Sequence, residues 1–195
     1  LTIYGGTARF SNGKMMNVGK NAVGLESGHF YMNNSVIAEA YCAFRHWPSD
    51  PIVNSVIYNC NRLSNNNGQK FYNCIVVGVN EAWDWSSGTG NTYMNCVFWN
   101  EPGFGLQKLP GSAKASNGNI WANPLFVNPE KGDFRIAANS PCIDAGSGYY
   151  APKKDYYGEP RMNVEEMRPT GSVSANGAVP DVGIYEVPGD GDTPA

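Results

Sequence analysis

The sequence lacks the signals of several common protein classes. No apolar run approaches the roughly 18 residues that a membrane-spanning helix needs, and residues 1–4 lack the charged and apolar regions of a signal peptide. Basic residues are in the minority, with 14 Lys and Arg against 17 Asp and Glu, for a formal net charge of -3. We therefore expect no transmembrane segment. We also expect no nucleic-acid partner, because the basic surface that binds nucleic acid is missing.

Cysteine patterns that hold metals are missing as well. The chain has five cysteines, but no Cys-x-x-Cys pair and no Cys/His cluster with the spacing of a zinc site. An odd number excludes complete pairing within the chain. We predict no structural metal, and we predict free, buried thiols that pack as small apolar groups. The five are Cys42, Cys60, Cys74, Cys96 and Cys142.

Good helix formers are scarce, whereas residues that favour turns are abundant. Asn and Gly each occur 23 times. The hydrophobic content of 42% with a charged content of 16% is typical of a folded globular protein. At 195 residues the chain is long enough to bury a core but too short for two domains of ordinary size. We expect a folded domain with little regular helix.

A short motif recurs at intervals that average about 21 residues. In each copy an Asn is followed by Ser or Cys and then by two β-formers. Stretches rich in Gly and Asn lie between the copies, and they must turn because they cannot continue a strand. The repeat therefore predicts several short strands per unit, joined by tight turns. Clear copies begin at Asn34, Asn54, Asn73 and Asn95, and weaker ones lie around Asn12 and Asn117.

A repeat of this size without helix is typical of a solenoid in which each coil returns above its own start. Each strand then pairs in parallel with its counterpart one coil away, and equivalent residues form columns along the axis. The competing architecture is a β-sandwich, which would show alternation but no repeated Asn register. The solenoid predicts a ladder of hydrogen-bonded side-chain amides formed by Asn34, Asn54, Asn73 and Asn95.

Two further columns should flank this ladder. Because side chains alternate between the two faces of a strand, neighbouring columns point in opposite directions. The inward column is predicted to hold Ser35, Ser55, Cys74 and Cys96, and the outward column Val36, Val56, Ile75 and Val97.

The sequence changes character at Asn123, where a series of motifs begins. They are NPLFVNP at 123–129, GDFRI at 132–136, NSPCIDAG at 139–146, DYYGEPR at 155–161 and PDVGIYE at 180–186. This succession resembles the end of bacterial right-handed β-helix repeat proteins of the pectin-lyase-like superfamily, and the Asn column resembles their asparagine ladder. Cys142 and Ile184 depart from the family pattern, which usually has smaller residues there. Residues 162–179 look like an inserted loop.

The resemblance implies an all-β, right-handed parallel β-helix of about five coils with a C-terminal cap. It also implies an extracellular or cell-surface location in a bacterium. We assign residues 1–122 to the coils, 123–187 to the terminal cap and 188–195 to a linker-like tail. Residues 1–6 contain no capping helix, so we expect further coils or a partner chain to cover that edge.

The acidic residues of the cap are predicted to be partners in turns and capping contacts. A calcium site is the alternative, because carboxylates and Asn oxygens suit calcium, but no defined calcium-binding loop is present. These residues, with their basic partner, are Asp133, Asp144, Asp155, Asp181 and Arg161. We expect no cofactor, with calcium kept as the open alternative.

Aromatic residues suggest a surface for polysaccharide. By analogy with this fold, glycans bind in a groove along the sheets, and tryptophan faces next to carboxylates could form sugar subsites. The alternative is that the aromatic rings fill loop bases and cover the outer sheet. The candidate carbohydrate-binding residues are Trp47, Trp83, Trp85, Tyr93 and Trp99.

Catalytic residues are harder to find, and whether the protein is an enzyme stays open. Elimination on a uronic acid needs a base and a cation, for which Arg45, His46 and Lys70 are weak candidates. Glycoside hydrolysis needs two carboxylates about 5 to 9.5 Å apart, for which Glu81 and Asp84 are weak candidates. The sequence therefore favours an extracellular β-helix module that contacts polysaccharide. A polysaccharide lyase or hydrolase and a structural stalk or adhesin module are the alternatives.

Overall fold

The computed structural model describes residues 1–45, 50–65, 68–82, 90–148, 150–161 and 179–188. The described chain is all-β, and its helical elements are two 3₁₀ turns at Ala115–Asn117 and Pro129–Lys131. None of its helices is long and apolar enough to cross a membrane. The strands are β1 (Thr2–Ser11), β2 (Lys14–Met15), β3 (Asn21–Asn33), β4 (Val36–Ala38), β5 (Cys42–Arg45), β6 (Pro51–Val53), β7 (Val56–Tyr58), β8 (Arg62–Ser64), β9 (Lys70–Tyr72), β10 (Ile75–Val77), β11 (Thr92–Met94), β12 (Val97–Trp99), β13 (Ile120–Trp121), β14 (Phe126–Asn128) and β15 (Asp133–Ile136).

The strands form three stacks, and each coil of the chain passes through them in turn. Strand β3 belongs to two stacks, because Asn21–Gly24 pairs with β5 whereas Met32 and Asn33 pair with β6. The first stack contains β5, β8 and the N-terminal parts of β1 and β3. The second stack contains β6, β9, β11 and the C-terminal parts of β1 and β3. The third stack is β2, β4, β7, β10, β12 and β13. All of these pairings are parallel, which confirms the predicted parallel β-solenoid of about five coils.

The interior of the solenoid is made of columns of apolar side chains. Equivalent positions lie directly above one another because the strands pair in register, apart from an irregularity between β1 and β3 at residues 3–7. In the second stack the inward column is Phe10, Met32, Ile52, Phe71 and Tyr93. The Phe71 and Tyr93 rings stack with their centroids 5.2 Å apart. In the third stack the inward column is Met15, Ile37, Ile57, Val76, Phe98 and Trp121.

The corner before the third stack is a column of residues with left-handed backbone. Asn tolerates this conformation better than most residues because its short side chain bonds locally. The ladder Asn34, Asn54, Asn73 and Asn95 occupies the column with φ between 44° and 53°, and Asn12 precedes it with φ 52°. In the last coil the column position is Gly118, φ 74°, because Val97 pairs with Ile120. The weak copy placed at Asn117 was therefore wrong by one residue.

Among the described residues, one hydrogen bond joins two ladder side chains along the axis. The other ladder amides donate to carbonyls of the C-terminal segment. Nδ2 of Asn73 donates to Oδ1 of Asn54 at 3.1 Å. Asn54 donates to the carbonyls of Asp181 and Gly183, and Asn95 donates to that of Ala145. The column therefore joins the coils to a part of the chain that lies far away in sequence.

The residue after each ladder Asn makes the same contact in successive coils. Oγ of Ser55 donates to the carbonyl of Val53 at 2.8 Å, and Sγ of Cys74 lies 3.3 Å from the carbonyl of Tyr72. In both cases the acceptor is two residues upstream. A thiol and a hydroxyl therefore fill equivalent places in this inward column. All five cysteines are free and buried.

The C-terminal segment, residues 123–161 and 179–187 of the described chain, packs on the outer side of the third stack. We call this segment the cover. The outward column Val36, Val56, Ile75 and Val97 is buried against Phe134, Ile136, Cys142, Val182 and Ile184. The cover reaches the first coil, where Nζ of Lys14 donates to the carbonyl of Gly132 at 2.6 Å. The apolar face of the segment thus lies along the flank of the coils, where it buries the outward column of Val and Ile side chains.

Candidate functional site

A cleft of about 650 Å³ lies between the third stack and the C-terminal cover. One wall is formed by Tyr58, Val77 and Trp99. These residues are the last of β7, β10 and β12, they are in register, and they occupy outward positions. The other wall is residues 123–130 at the start of the cover. The aromatic lining residues are Tyr58, Trp99, Phe104 and Phe126, and the polar ones are Asn59, Glu101, Asn123 and Glu130.

Tyr58 joins the two walls. Its hydroxyl donates to Oε1 of Glu130 at 2.5 Å, a bond between residues 72 positions apart. Burial raises the pKa of the Tyr58 hydroxyl well above its usual range, and its hydrogen bond with Glu130 and the charge of that residue raise it further. The phenol thus stays protonated and serves as a donor, which leaves the other carboxylate oxygen of Glu130 as an acceptor.

The loop after β12 brings Glu101 and Phe104 to the mouth of the cleft. The amide of Phe104 donates to the carbonyl of Glu101 at 3.0 Å. The side chain of Gln107 fixes this turn, because its Nε2 donates to the carbonyls of Glu101 and Phe104. The backbone of Phe104 is thereby held in place while 49% of the residue is exposed. The loop therefore presents an aromatic ring to solvent at little further cost in entropy.

Trp99 lies deeper. Its ring centroid is 5.9 Å from that of Trp121, with an angle of 50° between the planes. Its Nε1 is buried and has no acceptor within the described part of the chain. The indole therefore supplies apolar surface to the cleft wall, backed by a second aromatic ring.

The corner at Gly78 keeps the floor of the cleft open. Gly78 has φ 68°, and a Cβ built on it would lie 2.1 Å from Oδ1 of Asn59. The corresponding corner residues of the two preceding coils are Glu39 and Asn59, which also have positive φ. A side chain at residue 78 would therefore displace the amide that lines the cleft.

The predicted carbohydrate-binding residues occupy different environments in the structure. Trp99 lines the cleft, whereas Trp47, Trp83 and Trp85 lie outside the described residues. The prediction for Tyr93 was wrong, because this residue has no exposed surface and packs in the inward column of the second stack. An inward register position buries the ring, whatever its chemistry suggests.

The candidate catalytic residues that the structure describes do not lie together in one site. Glu81 forms an ion pair with Arg62, with Nε and Oε2 2.8 Å apart. Arg45 ends β5 in the first stack, whereas Lys70 begins β9 in the second. His46 and Asp84 lie outside the described residues. The described members thus form no common site for a base, a cation and a second carboxylate.

Sequence reasoning missed Tyr58, Phe104 and Glu130. Tyr58 has a faint signal, because it directly follows the two β-formers of its repeat. Phe104 lies in a loop that no repeat marks, and Glu130 belongs to the cover. Their proximity depends on how the cover docks, which the local sequence does not encode.

The described residues contain no group of three His, Cys, Asp or Glu side chains that could hold a metal ion. Two of the acidic residues predicted to be turn and capping partners accept hydrogen bonds from backbone amides. Oδ1 of Asp155 accepts from the amides of Tyr157 and Glu159, and Oδ1 of Asp181 accepts from that of Asp144. Their oxygens are thus engaged in holding the cover together.

Comparisons with protein-family models, with curated proteins and with solved structures found no match to this chain.

Proposed function

We propose that this protein is an extracellular β-helix module that captures polysaccharide in the cleft between its third stack and its C-terminal cover. The single observation that carries the proposal is the lining of that cleft. It combines aromatic rings on both walls with amides and carboxylates that can bond sugar hydroxyls. A location on a bacterial surface and a relation to the pectin-lyase-like superfamily belong to the same proposal, on the strength of the C-terminal motifs.

The arrangement suits a sugar ring for physical reasons. The C–H face of a sugar packs against an aromatic ring, and its hydroxyls need partners in the same plane as they lose water. Trp99 and Phe104 offer rings, while Asn59 and Asn123 offer both donors and acceptors. Tyr58 holds Glu130, and Gln107 holds the turn that carries Phe104, before a ligand arrives, which lowers the entropy cost of binding.

The test is a binding screen of the full chain against immobilised neutral and acidic polysaccharides, followed by calorimetry with the best oligosaccharide. Phe104→Ala should weaken binding at least about tenfold, because the ring is at the mouth of the cleft. Tyr4→Ala is the matched control, since Tyr4 is 81% exposed on β1, away from the cleft. Equal losses in the two variants, or no binding by the unaltered chain, would contradict the proposal and leave a structural stalk or adhesin module as the function.

Glycoside hydrolysis is a second candidate function, because the cleft contains two carboxylates, Glu101 and Glu130. One would act as acid and the other as base or nucleophile. The same oligosaccharides, incubated with the protein, should then release reducing ends that Glu130→Gln abolishes. Release of unsaturated uronides would instead indicate a lyase. Binding without any product would support capture alone.

A further inference from the structure

The lining of the cleft has charge of one sign only. Among the described residues that form it, Glu101 and Glu130 are acidic, and none is Lys, Arg or His. Glu101 is exposed on its loop, and Glu130 is exposed apart from its bond with Tyr58. A ligand that enters the cleft therefore meets two carboxylates without a basic residue in the lining to offset them.

A third carboxylate adds to this field from the corner of the preceding coil. The pKa of Tyr58 is raised first by burial and next by Glu130, and the charge of Glu39 raises it as well. Glu39 is exposed at the corner position directly below Asn59, whose side chain lines the cleft. Glu39 thus adds a third negative charge next to the wall, although it does not line the cleft itself.

No basic residue of the described chain lines the cleft, although the exposed residues Lys108 and Lys131 lie close in sequence to the lining residues Phe104 and Glu130. Arg45 and Lys70 are on the first and second stacks, and neither lines the cleft. Arg62 is engaged by Glu81 on the first stack. A uronate or sulfate in the cleft would lose hydration without gaining an opposite charge, which is unfavourable.

Resting on the proposed function, we infer that the cleft takes uncharged glycans and rejects those that carry uronic acid or sulfate. Glu101 and Glu130 set this specificity. Their oxygens accept hydrogen bonds from the hydroxyls of a neutral sugar, whereas they repel a sugar carboxylate placed on the same aromatic wall. Selection by like-charge repulsion acts against the wrong ligand and adds little to affinity for the right one.

The experiment compares neutral hexaoses, made of mannose, xylose or glucose, with hexagalacturonate by calorimetry on the full chain. The unaltered protein should bind its best neutral hexaose at least about tenfold more tightly than the uronate at low ionic strength. The ratio should shrink when salt is raised to about 0.5 M, because the Debye length then falls to roughly 4 Å.

The Glu101→Gln, Glu130→Gln double variant keeps the shape of the cleft and removes both charges. It should bind hexagalacturonate about tenfold more tightly than the unaltered chain does and should bind the neutral hexaose no more tightly, so the ratio of the two affinities falls at least about tenfold. Glu159→Gln is the matched control, since Glu159 is exposed in the cover and does not line the cleft. Circular dichroism and a denaturation midpoint establish that each variant is folded.

The outcomes separate the two proposals. If the unaltered chain binds the uronate as tightly as any neutral hexaose, and Phe104→Ala weakens that binding, capture stands and the inferred specificity is wrong. If the double variant leaves the ratio of affinities unchanged, the two glutamates do not set it. If no hexaose of either kind binds, the proposed function fails, and the inference fails with it.

Discussion

Nη2 of Arg161 donates to Oδ1 of Asn34 at 3.1 Å, a contact between residues that are 127 positions apart. The same guanidinium bonds Glu186 through Nη1 at 2.9 Å. Both members of this ion pair are almost fully buried, at 5% and 3% exposure. The cover is therefore fixed to the Asn ladder by a charged group that has lost its water, and its partners must replace that water.

Replacing Arg161 by Met should destabilise the protein by about 3–5 kcal/mol, because Glu186 would be left buried without its partner. The measurement is the free energy of unfolding in urea. Arg135→Met is the matched control. Arg135 pairs with Asp133 at 2.6 Å but is exposed, so its loss should cost far less than the loss of Arg161. Similar costs for the two variants would show that the buried pair does not anchor the cover.

Asn73→Gly should cost about 2–3 kcal/mol. Glycine accepts the left-handed backbone of residue 73, so the variant isolates the amide, which bonds Asn54 and both backbone groups of Ser147. Asn12→Gly has the same backbone conformation with an exposed side chain, and should cost less than about 0.5 kcal/mol. Urea denaturation of both variants is the measurement. An N73G variant as stable as N12G would mean that the ladder amides contribute nothing.

Stability should fall as the pH rises above 9. Burial raises the pKa of Cys60 and of Cys142 from 9.0 to about 12. Each folded thiol keeps its proton between those values while the unfolded thiol loses it, so the stabilisation present below pH 9 is lost as the pH approaches 12.

The free energy of unfolding, measured in urea with reductant between pH 8 and pH 11, tests this. Each thiol should contribute up to about 1.4 kcal/mol per pH unit in that window. The Cys60→Ala, Cys142→Ala variant should be less stable at pH 8 but lose less stability on the way to pH 11. Parallel pH profiles for the variant and the unaltered chain would contradict the assignment.

Phe71→Ala should cost about 3–5 kcal/mol, because Phe71 is fully buried between Phe44 and Tyr93 in the inward columns. Phe104→Ala removes the same atoms from an exposed loop, and should change stability by less than about 0.5 kcal/mol. Thermal and urea unfolding of the two variants give the comparison. If Phe104→Ala proved as costly as Phe71→Ala, the loop at the cleft would be part of the core.

The repeat motif predicted the solenoid because its spacing is imposed by the coil itself. A parallel coil must return to the same corner, and the left-handed backbone there favours Asn34, Asn54, Asn73 and Asn95. The motif could not predict which aromatic side chains are accessible. Tyr93 and Trp99 lie six residues apart in one coil, yet Tyr93 points inward on β11 whereas Trp99 lines the cleft at the end of β12.

Sequence alone determined the strands, the corners and the parallel stacking, since these follow from residue preferences that recur within each coil. The tertiary structure decided where the cover lies and therefore where the cleft is. The hydrogen bonds from Tyr58 to Glu130 and from Arg161 to Asn34 join distant parts of the chain, and neither bond is repeated from coil to coil. A contact that occurs once leaves no period in the sequence, so only the folded chain reveals it.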